Sequence, residues 1–151
     1  MTISVKKIKG TKVYLNEASQ PWGAIENVIF DRENKKVSAF SVKTLSIVPI
    51  CKVVEKSSVE NLDSDKMILK KNAPILNFEK YSTDKVSGIA LDTVKTAVSP
   101  GGFRKKLKDI RFDFETGEMS DMVISENIIV GKRRISVNKI SLKDNTIYVE
   151  N

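Results

Sequence analysis

The chain has 151 residues, with 26 basic and 19 acidic side chains, no histidine and a single cysteine, Cys51. A hydrophobic share of 40% beside a charged share of 30% is the composition of a folded protein and not of a disordered one. No run is long and apolar enough to span a bilayer, no apolar stretch of signal-peptide type follows Met1, and a lone cysteine forms no internal disulfide, so a reducing cytoplasm is the expected setting.

The net charge is +7, yet only five of the basic residues are arginine. A diffuse lysine excess reads as a solvated surface and not as a concentrated nucleic-acid groove. At long range it still attracts acidic proteins, RNA or anionic lipid.

In chain order, Gly10 to Leu15 predict an opening strand, and a loop with Pro21, Trp22 and Gly23 follows. Residues 25–42 predict a strand, a turn and a second strand, because Val28 and Phe30, then Phe40 and Val42, alternate as half-buried strands require. Residues 47–53 predict a further strand, with Pro49 at its start or on a sheet edge, since proline offers no amide to a ladder. One helical turn is expected within 57–63, then a closing strand at Met67, Ile68 and Leu69. A linker over 71–87 holds Asn72, Pro74 and Asn77, with a second helical turn expected at 77–85.

The pattern then returns. Gly88 to Leu91 predict a second opening strand, and 107–124 match 25–42 without a gap, 82 residues on. Ile110 and Phe112 replace Val28 and Phe30; Met122 and Ile124 replace Phe40 and Val42; Phe-Asp-x-Glu recurs, and Ser120 repeats Ser38. In the turn, Asp113 is placed to bond the backbone and Gly117 to take a positive φ. Lys35 stands where Gly117 does, so the first turn is expected to be the looser one. Residues 134–140 align with 47–53 after a hairpin read as longer in the second copy, and Ile147, Tyr148 and Val149 close it. The expected fold is therefore all-β with little helix: two small antiparallel β-barrels in tandem, over residues 1–75 and 76–151. Barrels this small leave edges that invite homodimer pairing.

The segment Lys108-Asp109-Ile110-Arg111-Phe112-Asp113, the Thr116-Gly117 turn, the Val48-Pro49-Ile50 strand and the isoleucine-rich closing strands together resemble the PRC-barrel family, over roughly residues 8–71 and 84–150. Lys35 departs from the family's glycine and Ser136 from its frequent proline. The resemblance implies a small, mostly antiparallel barrel. It also implies a role in protein contact: members include the cytoplasmic part of the photosynthetic reaction-centre H subunit and a domain of a ribosome maturation factor that docks on a small-subunit ribosomal protein.

Candidate partner-binding residues are few. Trp22 is the only tryptophan, a residue type common at binding hot spots, though a plug at one barrel end explains it as well. Arg104, Lys105, Lys106 and Lys108 form the densest basic run, and Lys132, Arg133 and Arg134 the second. Solvated strand ends are the default for such runs, and an anionic partner is the alternative if they converge in space. Asp31 and Asp113 read as turn caps in preference to metal ligands, and Cys51 as a small hydrophobe.

With no histidine, no phosphate-binding glycine loop and no paired cysteines, no catalytic, metal or cofactor residue is expected. The leading expectation is a non-enzymatic adaptor for a protein partner. The alternative is an RNA- or ribosome-associated protein that uses the basic runs of the second barrel. A third is a carrier with a pocket between the barrels.

Overall fold

The computed structural model describes residues 2–31, 36–63, 65–78, 88–90, 96–98, 104–127, 131–136, 138, 140–143 and 146–149. Within them the chain is all-β, built of two sheets. The first half supplies β2 (Lys12–Tyr14), β3 (Gly23–Asp31), β4 (Lys36–Thr44), β5 (Cys51–Glu55), β6 (Val59–Leu62), β7 (Lys66–Leu69) and β8 (Leu76–Asn77), ordered β6-β7-β2-β3-β4-β5-β8. The second supplies β10 (Thr96–Val98), β11 (Arg104–Asp113), β12 (Met119–Asn127), β13 (Gly131–Ser136), β14 (Ile140–Lys143) and β15 (Thr146–Val149), ordered β13-β12-β11-β10-β15-β14.

Two short strands cross between the halves. β1 (Thr2–Ser4) pairs with β11 of the second sheet, and β9 (Gly88–Ala90) pairs with β3 of the first. The cause lies in strand length. β3 has nine residues, but the three-residue β2 covers only its start, at Gly23 and Ala24. Ile29 to Asp31 would be left as a bare edge, and a strand from the other half covers them. β11 repeats the arrangement, with β10 at Arg104 to Lys106 and β1 at Arg111 to Asp113.

Two sequence expectations do not hold. Gly88–Ala90 is not the second opening strand but the counterpart of Thr2–Ser4; the counterpart of Lys12–Tyr14 is Thr96–Val98, which likewise lies antiparallel to the long strand and parallel to the closing one. Residues 134–140 do not match 47–53. Phe40 faces Val54 as Met122 faces Ile135, so Cys51–Glu55 corresponds to Lys132–Ser136, and the longer connection, 45–50, belongs to the first half. The helical turn expected within 57–63 is a 3-10 turn at Lys56–Ser58, and the remainder is strand β6, drawn out by pairing with β7 and by burial of Val59 and Leu62. Because β1, β8 and β9 sit as they do, sheet membership does not follow a cut after residue 75. The helical turn expected at 77–85 and the turn at Lys35 lie almost wholly outside the described residues.

The repeated residues hold repeated geometry. Each long hairpin carries two β-bulges at matching places, after Ile25 and Leu107 and after Ile29 and Arg111. At the second bulge the extra residue is Ser38 or Ser120, and its hydroxyl donates to the carbonyl of Ile29 or Arg111, at 3.3 and 3.1 Å. The serine that recurs in the sequence thus satisfies a carbonyl that the bulge takes out of the ladder.

One apolar core runs through both halves, with Phe30, Phe40 and Val54 of the first packed with Phe112, Met122 and Ile124 of the second. Phe40 and Phe112 meet with ring centroids 6.4 Å apart and planes tilted by 47°. A short helix, α1 (Val5–Ile8), follows β1 and buries Val5 and Ile8 in this core. Lys36 and Glu118, equivalent positions of the two halves, bridge to each other, and the Val37 amide donates to the Gly117 carbonyl at 2.7 Å. A local two-fold axis therefore relates the halves.

Aspartates fix the turns. Asp113 accepts from the Thr116 amide at 3.0 Å, and Asp63 from the amides of Asp65 and Lys66 at 2.8 and 3.0 Å. These amides hold both carboxyls below the usual carboxylate range. A folded-state pKa that is depressed gives stability above the unfolded value, lost as pH falls through the folded one. The urea midpoint is therefore expected to drop on the acid side, with a shallower slope in an Asp63→Asn/Asp113→Asn variant, whose amides keep the acceptor oxygens but do not titrate.

Candidate docking face

The pairing of β11, β12 and β13 decides where the basic runs go. Lys106, Ser125 and Lys132 share one register row, and Asp109, Val123 and Arg134 the next but one on the same face. Strand alternation sends Met122 and Ile124 to the core, so this face is the outer one. The two runs thus converge across a three-stranded surface. Lys108 stands at the bulge beside Asp109, and its ammonium pKa is lowered by the charge of Lys106, by desolvation, and by Lys132 and Lys6 of α1. Arg133 is not part of this group: it shares its row with Leu107 and Ile124, on the opposite face, although it is exposed. Arg104 and Lys105 lie at the start of β11, opposite Val98 and Ala97. Trp22 is at an end of the first sheet, half-buried against the core, with its backbone carbonyl accepting from the Leu45 amide at 3.0 Å.

An ion-pair group organises the face. The Arg111 guanidinium grips Asp121 with two parallel donors, Nε to Oδ1 at 2.7 Å and Nη2 to Oδ2, and Arg134 Nε lies 3.9 Å from Oδ2. Asp121 raises the pKa of Arg111 further. Arg134 keeps 61% of its side chain exposed, against 27% for Arg111 and 14% for Asp121, so it is the group presented outward. Asp109 is occupied by the crossing segment: it accepts from the Ser4 hydroxyl, from the Lys6 amide at 3.0 Å and from the Ile110 amide at 2.8 Å.

The same positions of the first sheet differ sharply. By register, Arg111, Asp121 and Arg134 correspond to Ile29, Ala39 and Val53. Those three are buried in a small apolar cluster of their own, covered by Leu76 and Phe78 of the segment that follows β7. Sequence reasoning missed Arg111 and Asp121. The gapless match already held the signal, since an isoleucine and an alanine in strand phase become arginine and aspartate 82 residues on.

Cys51 opens β5 and is half-buried; burial first, then the Glu26 carboxylate, push its thiol up to about 11, so it is protonated at neutral pH. A cleft of about 280 Å³ lies where α1 meets the first sheet, floored by Ile3, Ile8 and Leu62 with Lys7 and Asp63 at its rim. Asp63 is already engaged by its two turn amides. Among the described residues no three metal-ligating side chains gather, and no helix is long and apolar enough to cross a membrane. Neither a protein-family model nor a curated protein matches the chain.

Proposed function

We propose that this is a non-catalytic binding protein made of two PRC-barrel-like halves, and that the outer face of the second sheet docks an acidic partner protein in the cytoplasm. The observation that carries the reading is the contrast at matched positions. The fold is content with Ile29, Ala39 and Val53 under a cover, whereas the same place in the second half holds a half-buried Arg111–Asp121 pair and an exposed Arg134. Arg134, exposed and 3.9 Å from Asp121, adds only about 0–1 kcal/mol to stability as a surface ion pair, so the fold gains little from its presence there. A partner with carboxylates gains more, because Asp121 holds the arginines in place before it arrives. The cations lie on the two outer strands of the trio, β11 and β13, with Lys6 of α1 beside them, and β12 runs between.

A second reading, contact with RNA or the ribosome, is favoured by the convergence of Lys6, Lys106, Lys108 and Lys132. Phosphate recognition uses such charges, but single-stranded RNA also asks for aromatic stacking platforms. On this face the described residues among the cations are Asp109, Asp121, Val123, Ser125 and Ser136, none of them aromatic.

Affinity purification of the full chain, with salt steps and RNase, separates the two. A protein that survives RNase, and whose affinity drops about tenfold or more in a Lys132→Glu/Arg134→Glu variant, is the expected result. Recovery of RNA or ribosomal components that leave in proportion to log salt assigns the face to phosphate instead. Partner binding indifferent to both charge reversals removes the face from the account.

A further inference from the structure

The connection between β4 and β5 is an apolar tip. Its side chains Leu45, Ile47, Val48 and Ile50 are 50, 102, 72 and 52% exposed, with Pro49 among them. Nothing in the fold requires these residues to be aliphatic, since none is a core residue. The tip is nevertheless well tied. The Thr44 amide donates to the Ile50 carbonyl at 2.9 Å, and the Ile50 amide to the Thr44 hydroxyl at 2.9 Å. The Ser46 hydroxyl donates to the Val48 carbonyl at 2.8 Å, and the Leu45 amide to the Trp22 carbonyl at 3.0 Å. The Leu45 and Ile50 amides and the Val48 and Ile50 carbonyls are therefore bonded within the fold, which removes their share of the cost of taking the tip into an apolar medium.

Lysines lie along one side of its base. Lys66, Lys12, Ala24 and Lys43 lie in one register row across β7, β2, β3 and β4, and the three lysines are exposed. That row is one residue short of Thr44, about 3.3 Å inside the sheet end from which the tip projects. Exposed Leu15 leaves β2 at this same end. A convex aliphatic tip above a row of lysines matches an anionic bilayer surface, where apolar side chains enter the acyl boundary and ammonium groups meet headgroups. Protein hot spots favour tryptophan, tyrosine and arginine over leucine and valine, so the tip's chemistry fits lipid better than a protein pocket.

We propose that residues 45–50 insert into the interface of an anionic membrane, with Lys12, Lys43 and Lys66 against its headgroups, so that the second-sheet face is presented from that surface. The test is flotation of the full chain with vesicles of phosphatidylcholine carrying about one-third phosphatidylglycerol, against vesicles of phosphatidylcholine alone. Binding to the anionic vesicles is expected, and an Ile47→Asp/Val48→Asp variant is expected to lose about tenfold or more in partitioning with an unchanged circular dichroism spectrum, because both side chains are already exposed. A Val48→Trp variant adds a second readout, its new indole being quenched by brominated lipid. Absence of binding to anionic vesicles overturns the proposal, as does binding that survives both aspartates. Binding without quenching of the Val48→Trp indole, abolished by Lys132→Glu/Arg134→Glu, also overturns it, by assigning the lipid contact to the other face. Loss of a captured protein in the aspartate variant, with no vesicle binding by the unaltered chain, would give the tip to a protein pocket.

Discussion

Replacing Phe112 by alanine is expected to lower the stability of the whole chain, and not of its second half alone, by about 3–5 kcal/mol. Phe112 is fully buried, lies in the core cluster common to both sheets, and meets Phe40 of the first half with ring centroids 6.4 Å apart. Ile3 of the crossing strand pairs with it in register. The chain offers its own reporter, because Trp22, the only tryptophan, sits at the end of the first sheet farthest in sequence from the change. Urea unfolding followed by Trp22 fluorescence should therefore show one transition, displaced in the Phe112→Ala variant as far as the transition followed by circular dichroism. A fluorescence curve that stays in place while the dichroism curve moves would mean that the two sheets unfold separately.

Gly117→Ala is expected to cost about 2–4 kcal/mol, since it combines a left-handed conformation with a steric clash. Gly117 has φ of +77°, and a Cβ there would lie 2.9 Å from the Val37 carbonyl oxygen and 3.3 Å from the Lys56 side chain. Both neighbours belong to the other half, and the Gly117 carbonyl itself accepts from the Val37 amide. The glycine therefore serves the junction between halves as much as its own hairpin. Thermal unfolding is the check, with Gly131→Ala as the comparison. Gly131 has nearly the same φ, +78°, but open space where its Cβ would be, so only the conformational part of the loss is expected there.

The long hairpins were legible because period-two alternation over Val28, Phe30, Phe40 and Val42 repeats in phase over Ile110, Phe112, Met122 and Ile124, and all eight are buried. The crossing strands were not. β1, β9 and β10 have three residues each, too few to show a period, and any short apolar triplet suits an opening strand. Hydrophobicity misled at residues 47–50, where aliphatic side chains that face solvent imitate a buried strand. Of the candidate face, the two basic runs were visible in the sequence, but their meeting depends on β12 lying between them, and Arg133 shares their run without sharing their face. Arg111 and Asp121 escaped notice because each is unremarkable alone. Their meaning comes only from what stands at the same place in the first half.

The bridge between Lys36 and Glu118 has a consequence for how two unlike faces came to share one molecule. Each residue meets its own counterpart at the axis. In an assembly of two identical half-length chains, a lysine there would confront a lysine, and a glutamate a glutamate. Opposite charges, with Nζ and Oε1 3.9 Å apart, are open only to halves that differ. Covalent linkage guarantees that difference: every molecule receives one half of each kind, in fixed proportion and fixed orientation. The first half is then free to keep a covered apolar trio and an oily tip, and the second to carry exposed charge. Neither copy has to satisfy both demands with one set of side chains.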